Sequence, residues 1–431
     1  MKKEIRLVAL AFFSLFFGAG NLILPPYLGF EATQYWPLVA LGFCITAILI
    51  PYLGILAHSK VQGGLFELAS PVLGKLALPY TITIFLVCVT IAVPRTAAVT
   101  YELGVSELST MPAWLSAVIF FGLVPLFALF RGRVLHVIGS YITPLLVGLM
   151  ALLIGRSLLG SVPENNAVNS LSGLFSKGVI EGYQTFDAIA AVVVGAVLVI
   201  SVKNQFSYLS RSQQSVVLKR GGLLAAIALM LIYIGLIFAG ATLGGKLELS
   251  ATRSELLLQM SEQFLFSFGN LVLAIAVSLA CFTTAVGILT GTADFVQEQL
   301  VKSRTGYVIT ILLGCGLGMM LATLGVDEII RVAYPVLLLV YPLTIVLILL
   351  HLLPEKLKSK DVFYSVSFVT FLFSLPDALL GYTDWYLLRK VTDFLPLGAQ
   401  QLGWLIPVVL TAAGAILIRS LRSRYDRPQS E

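Results

Sequence analysis

Long apolar runs alternate with short polar interruptions along the whole chain. Twelve such runs lie near 5–30, 37–57, 76–101, 113–130, 138–160, 174–201, 221–243, 268–293, 306–325, 329–352, 362–381 and 401–419. Each is close to the roughly 20 residues that an α-helix needs to cross a bilayer. None shows the short alternating pattern of a membrane-spanning strand. The pattern predicts an all-α polytopic membrane protein with about twelve transmembrane helices. The loops between runs are too short to hold a soluble domain, and residues 61–74, with Gly63, Gly64 and Pro71, read as a short surface or re-entrant segment.

Two runs carry residues that a plain apolar helix would avoid. The first contains Gly18, Ala19, Gly20 and Asn21, followed by Pro25 and Pro26. Inside a helix glycine costs about 1 kcal/mol relative to alanine, and proline about 3. The expectation is a helix broken at mid-membrane. Its unwound backbone would free carbonyls for a cation, and its second half would present N–H groups and a positive dipole end to an anion. The blander reading is close packing of small residues with a proline stop, but packing does not call for Asn21 beside the glycines. The sixth run starts with Glu181, Gly182, Tyr183, Gln184, Thr185, Phe186 and Asp187 and then turns wholly apolar over residues 189–200. An ionisable group at membrane depth is costly and usually functional. Its blander reading puts Glu181 and Asp187 at the outer interface of a span that begins later.

Five spans separate the two interruptions, and an odd repeat must enter the membrane from the opposite side the second time. Residues 5–160 and 174–352 therefore predict a 5+5 inverted repeat with discontinuous helices 1 and 6. Two accessory helices, 362–419, complete a single domain over residues 1–431. In the eighth run Ala280, Thr283 and Thr284 share one helical face. Two hydroxyls with backbone carbonyls suit a small hard monovalent cation, although threonine in a span commonly bonds back to its own helix. In the third run Arg95, between Pro94 and Thr96, needs a partner or a watery path. Asp187, Asp327, Glu328 and Asp377 are all open as partners, and a gate or path role is the preferred reading.

Composition agrees with the pattern. The chain is 58% hydrophobic and 12% charged, half the charge of an ordinary soluble protein. A net charge of +6 does not indicate nucleic acid, because twenty of the 28 lysines and arginines fall on one set of alternating loops and seven on the other. That bias places both termini in the cytoplasm, with Arg131, Arg133 and Arg427 in the larger set and Lys246 in the smaller. Cys44, Cys88, Cys281 and Cys315 lie in apolar runs and read as buried hydrophobes. His58, His136 and His351 lie near cytoplasmic ends. No metal spacing, nucleotide loop or catalytic triad is apparent, so the expectation is neither an enzyme nor a cofactor protein. The bilayer is the expected surrounding, and no obligate protein partner is indicated.

The run FFGAGNLILPP in the first span, PRTA around Arg95 and EGYQTFDAIAA in the sixth resemble the bacterial branched-chain amino acid:cation symporters, the BrnQ or LIVCS family. The likeness extends over essentially the whole chain. It implies the LeuT fold of the amino acid–polyamine–cation superfamily, location in the bacterial cytoplasmic membrane, and uptake of leucine, isoleucine and valine coupled to Na+ or, in the alternative, H+. It implies that the amides of Gly18, Ala19, Gly20 and Asn21 hold the substrate carboxylate. The ammonium group would lie near carbonyls of the sixth span, with Tyr183, Gln184, Thr185 or Asp187. The carbonyls of Ser14 and Phe17 fall where that fold places sodium ligands, opposite Ala280, Thr283 and Thr284. No second sodium site can be matched in spans six and seven.

Overall fold

Helices occupy almost all of the computed structural model, which describes residues 1–129, 143–164, 171–244, 252–265, 269–383 and 385–425. Arg131, Arg133, His136, Lys246, Arg427 and residues 138–142 of the expected fifth span lie outside the described residues. Among the described residues, seven helices or helical runs are long and apolar enough to cross a membrane, and three shorter apolar helices accompany them. Two of the seven, Gly20–Val61 and Leu65–Leu108, are 42 and 44 residues long. Each contains a 3₁₀ corner, at Thr33–Tyr35 and Gly74–Leu76. The segment 61–74 holds a short helix, Leu65–Leu73, that buries Leu65, Leu68, Ala69 and Val72.

The first expected span is two helices, α1 (Lys2–Phe16) and α2 (Ala19–Ala32). Phe17 leaves the helix at φ −79° and ψ 86°, and Gly18 is extended at φ −116° and ψ −164°. Pro25 and Pro26 do not end α2 but lie inside it. Having no N–H, they leave the carbonyls of Asn21 and Leu22 without their helical donors. After α2 come α3 (Trp36–Cys44), α4 (Ile50–Val61), α5 (Leu65–Leu73), α6 (Ala77–Val87), α7 (Val93–Thr100), α8 (Ala113–Ala128) and α9 (Thr143–Ser157). Wide π turns at Ile45–Leu49 and Cys88–Ala92 precede Pro51 and Pro94. A proline ring clashes with the carbonyl four residues earlier; here those are Ala47 and Thr90, both inside the wide turns, which accommodate the clash without ending the helix.

The sixth expected span is also two helices, α10 (Leu171–Tyr183) and α11 (Asp187–Gln205). Three residues join them, and Phe186 adopts the left-handed conformation with φ 64°. That is an uncommon backbone state for a bulky side chain. The rest comprises α12 (Arg211–Ala241), α13 (Arg253–Leu265), α14 (Gly269–Phe295), α15 (Arg304–Leu321), α16 (Val326–Leu352), α17 (Lys360–Leu380), α18 (Tyr386–Phe394) and α19 (Leu405–Tyr425).

The broken helices sit at the centre, and glycines let their neighbours pack against them backbone to backbone. In the α2–α12 pair a Cβ on Gly29 would strike the Ile237 carbonyl, and one on Gly240 would strike the Pro26 carbonyl. The α10–α3 pair repeats this arrangement, Gly178 against the Val39 carbonyl and Gly42 against the Phe175 carbonyl. Small residues at both partners of a helix pair are what close approach in a membrane requires. On the other side of the break in the sixth span, α11 packs on α4 and α14. His58 of α4 is buried there, with Nδ1 2.9 Å from the Gly63 carbonyl and Nε2 3.0 Å from the Val192 carbonyl.

Candidate functional site

Both helix breaks open onto one small cavity, with a volume of about 30 Å³. Gly18, Gly20 and Asn21 line it from the first break, Thr185, Phe186 and Asp187 from the second, Arg95 and Thr96 from α7, and Thr284 from α14. The two glycines serve different neighbours. A Cβ on Gly18 would lie 2.8 Å from Oγ1 of Thr284, and one on Gly20 would run into the Arg95 guanidinium and lie 3.1 Å from the Gln184 carbonyl. Ala19 opens α2 between them.

Asp187 begins α11, and its carboxylate accepts hydrogen bonds from Nδ2 of Asn21 at 2.7 Å and from the Tyr233 hydroxyl at 3.3 Å. Asn21 and Tyr233 also touch each other. All three are at least 98% buried. Buried carboxylates are tolerated where donors saturate them, and here α2, α11 and α12 each contribute one member. Glu181, six residues earlier, behaves differently: it pairs with Arg253 at 3.2 Å. Arg253 also approaches Asp327 at 3.6 Å and lies over the Tyr27 ring at 4.7 Å. Glu181 thus belongs to a charged cluster with Arg253 and Asp327, whereas Asp187 lines the cavity.

Tyr183 and Gln184 do not line the cavity. Tyr183 stacks on Tyr341 of α16 with centroids 4.3 Å apart, and Gln184 reaches Gly20 through its carbonyl. The Tyr341 hydroxyl accepts from the Ala188 N–H at 3.1 Å and lies 3.2 Å from the Thr46 carbonyl and 3.3 Å from the Gly182 carbonyl. One phenol therefore holds the backbone on both sides of the second break.

Of the oxygens named for a cation, those of Ser14, Ala280 and Thr283 are neighbours in space. Oγ1 of Thr283 bonds the Ala280 carbonyl at 2.9 Å and lies 3.4 Å from the Ser14 carbonyl across the α1–α14 contact. Oγ1 of Thr284 and Oγ of Ser14 are buried and have no hydrogen-bond partner among the described residues. Phe17 still closes a helical turn with its N–H on the Phe13 carbonyl at 2.8 Å, while its ψ of 86° turns its own carbonyl off the helix axis. Orphaned buried hydroxyls are uncommon, and an added ion would satisfy them.

Arg95 is 3% exposed, its Nη1 has no hydrogen-bond partner, and its guanidinium lies 5.1 Å from the Phe186 ring centre. Of the four acids open as partners, Asp327 faces Arg253, Glu328 pairs with Arg331 at 2.7 Å, Asp377 is buried on α17, and Asp187 shares the cavity. Among the described residues none forms an ion pair with Arg95.

Tyr233, Tyr341 and Phe186 are among the site residues that the sequence did not single out, as are Thr96, Ala92, Ala190 and Ile288 of the cavity wall. Tyrosine and phenylalanine within apolar spans read as core, and only the position of Phe186 beside Asp187 offered a signal.

A family model described as branched-chain amino acid transport protein matches residues 1–422. The branched-chain amino acid permease BrnQ of Salmonella typhimurium is 32% identical over 426 residues, covering 96% of each chain. A Pseudomonas aeruginosa protein named branched-chain amino acid transport system 2 carrier protein is 32% identical over 431 residues, again covering 96% of each. Among solved structures, a Na+-coupled sialic acid symporter in a substrate-bound outward-open state superposes with a TM-score of 0.61 at 11% identity, covering 96% of this chain and 90% of that one. At that identity the likeness concerns the fold, which is of the LeuT type.

Proposed function

The chain belongs to the branched-chain amino acid transport family, a multi-pass bacterial membrane transport protein and not an enzyme, and from that premise we propose that it imports leucine, isoleucine and valine by symport with Na+. The observation that carries the reading is the meeting of both helix breaks at one buried cavity, beside a cluster of hydroxyl and carbonyl oxygens with two unsatisfied members. Discontinuous helices at matching positions of two repeats are the usual sign of a secondary transporter's binding site.

The substrate's carboxylate lies at the amides of residues 18–21 and its ammonium group near Asp187 and the carbonyls of the second break. Its branched side chain lies toward the apolar wall of Ala92, Ala190 and Ile288, in a cavity of about 30 Å³ that widens to admit it. Such a wall separates substrates differing by one methylene by only about 1–3 kcal/mol, so the three amino acids compete. The cation binds among Ser14, Phe17, Ala280, Thr283 and Thr284. There it ties α1 to α14 in one conformation, and that differential binding couples its gradient to the substrate.

The exchanged contacts support a 5+5 inverted repeat. Both halves of the first broken helix pack on α12, and the two halves of the second pack on α3 and α4, the parts of the second span. Exchange of partners between the first and second helices of each half is what a two-fold in the membrane plane produces. Twelve crossings with both termini in the cytoplasm follow from that arrangement and the lysine and arginine bias. The test is uptake of labelled leucine into proteoliposomes at fixed pH, with and without an inward Na+ gradient. Uptake that ignores Na+ and follows a pH gradient would establish the proton-coupled alternative.

A further inference from the structure

A zwitterion is matched by two opposite charges held apart, and the cavity contains one of each. Arg95 enters from α7 and Asp187 from α11, and both are at least 97% buried. A direct ion pair would be the least costly arrangement of two buried charges, yet none joins them within 4.0 Å among the described residues. Asp187 is instead satisfied by Asn21 and Tyr233. Arg95 rests on the Phe186 ring with Nη1 unpartnered. It is also pressed against the first break, where Gly20 has no space for a Cβ beside the guanidinium. The fold therefore holds a desolvated guanidinium against the first break, and among the described residues its Nη1 has no protein acceptor.

The geometry points to Arg95 as the group that binds the substrate's carboxylate, with Asp187 receiving its ammonium group. This assignment rests on the amino acid reading above and adds the charged residues that read the substrate's backbone. A guanidinium is suited to the role because its planar fork meets both carboxylate oxygens, which a point charge does not. The Phe186 ring, held in the left-handed conformation, supplies a face for the guanidinium that costs it no hydrogen-bond donor. Arg95 also performs the neutralising task that a second cation beside the carboxylate would otherwise perform. The site plus a zwitterion then has no net charge.

The test uses purified full-length protein in detergent, with labelled leucine displaced by leucine, by leucinamide, which lacks the carboxylate, and by 4-methylpentanoate, which lacks the ammonium group. In the wild type both analogues are expected to bind at least about 30-fold more weakly than leucine, as for loss of one partner of a buried charge pair. Arg95→Gln is expected to weaken leucine by a similar factor while leaving leucinamide little changed, and Arg95→Lys to recover part of the loss. Leucinamide displacing as well as leucine from the wild type overturns the assignment, and so does an Arg95→Gln protein that loses both ligands equally, since that is the mark of a structural role. Where Arg95→Gln does not fold, Arg95→Lys decides: leucine weakened with leucinamide unchanged supports the assignment, and equal loss of both ligands overturns it. A wild type that binds no branched-chain amino acid at all refutes the functional reading instead, which keeps the two failures distinct.

Discussion

Asn21 donates to Asp187 at 2.7 Å across 166 positions of sequence, so the second half of one broken helix is bonded side chain to side chain to the second half of the other. Removing the donor leaves a buried carboxylate short of one hydrogen bond. Asn21→Ala is expected to destabilise the protein by about 1–3 kcal/mol, read as a lower melting temperature in detergent. Asn21→Asp, which places a second carboxylate against the first, should be worse in both melting and leucine uptake. An Asn21→Ala protein that melts like the wild type would show that the contact contributes nothing.

The two cavity glycines should differ in their tolerance of a methyl group. At Gly18 the obstacle is the end of the Thr284 side chain, 2.8 Å away, which rotates. At Gly20 it is the Arg95 guanidinium together with the Gln184 carbonyl at 3.1 Å. Gly20→Ala should abolish leucine uptake where Gly18→Ala only reduces it, measured in vesicles at matched protein levels.

Thr284→Ala removes a buried hydroxyl that no protein group satisfies. The expected result is a rise in the Na+ concentration needed for half-maximal uptake, with leucine binding at saturating Na+ much less affected. An unchanged Na+ dependence would remove Thr284 from the cation site.

Asp187→Asn separates the two coupling ions. It retains the shape of the cluster with Asn21 and Tyr233 but cannot carry a proton. Accumulation that still follows a pH gradient in this variant rules out Asp187 as the proton carrier.

Arg253 holds the Glu181 carboxylate at 3.2 Å and approaches Asp327 at 3.6 Å. Arg253→Gln should lower the melting temperature, because an uncompensated, mostly buried carboxylate remains. Adding Glu181→Gln should restore part of the loss, with a coupling of about 1 kcal/mol in the double-mutant cycle. Strictly additive losses would mean the pair is only incidental.

The parts of this site legible in the sequence were those where a residue broke the local rule. Glycine, asparagine and a polar run within apolar spans marked both breaks to within a residue or two, because nothing else stabilises such residues there. Thr283 and Thr284 were legible locally as a face, but only the family resemblance set them opposite Ser14, since the Thr283 contact spans 269 positions of chain. Tyr233 and Tyr341 left no mark: a tyrosine in an apolar helix has the same local signature whether its hydroxyl meets lipid headgroups or a buried carboxylate. The wide turns before Pro51 and Pro94 were likewise hidden, because each proline alone predicts a kink and not the way the helix absorbs it.

Tyr341 sets the two breaks apart. Its single hydroxyl occupies the Ala188 N–H and faces the Thr46 and Gly182 carbonyls, so the backbone freed at the second break is largely spoken for within the protein. Tyr341→Phe removes that shared partner from both sides of the second break at once, and the expected result is a lower melting temperature in detergent.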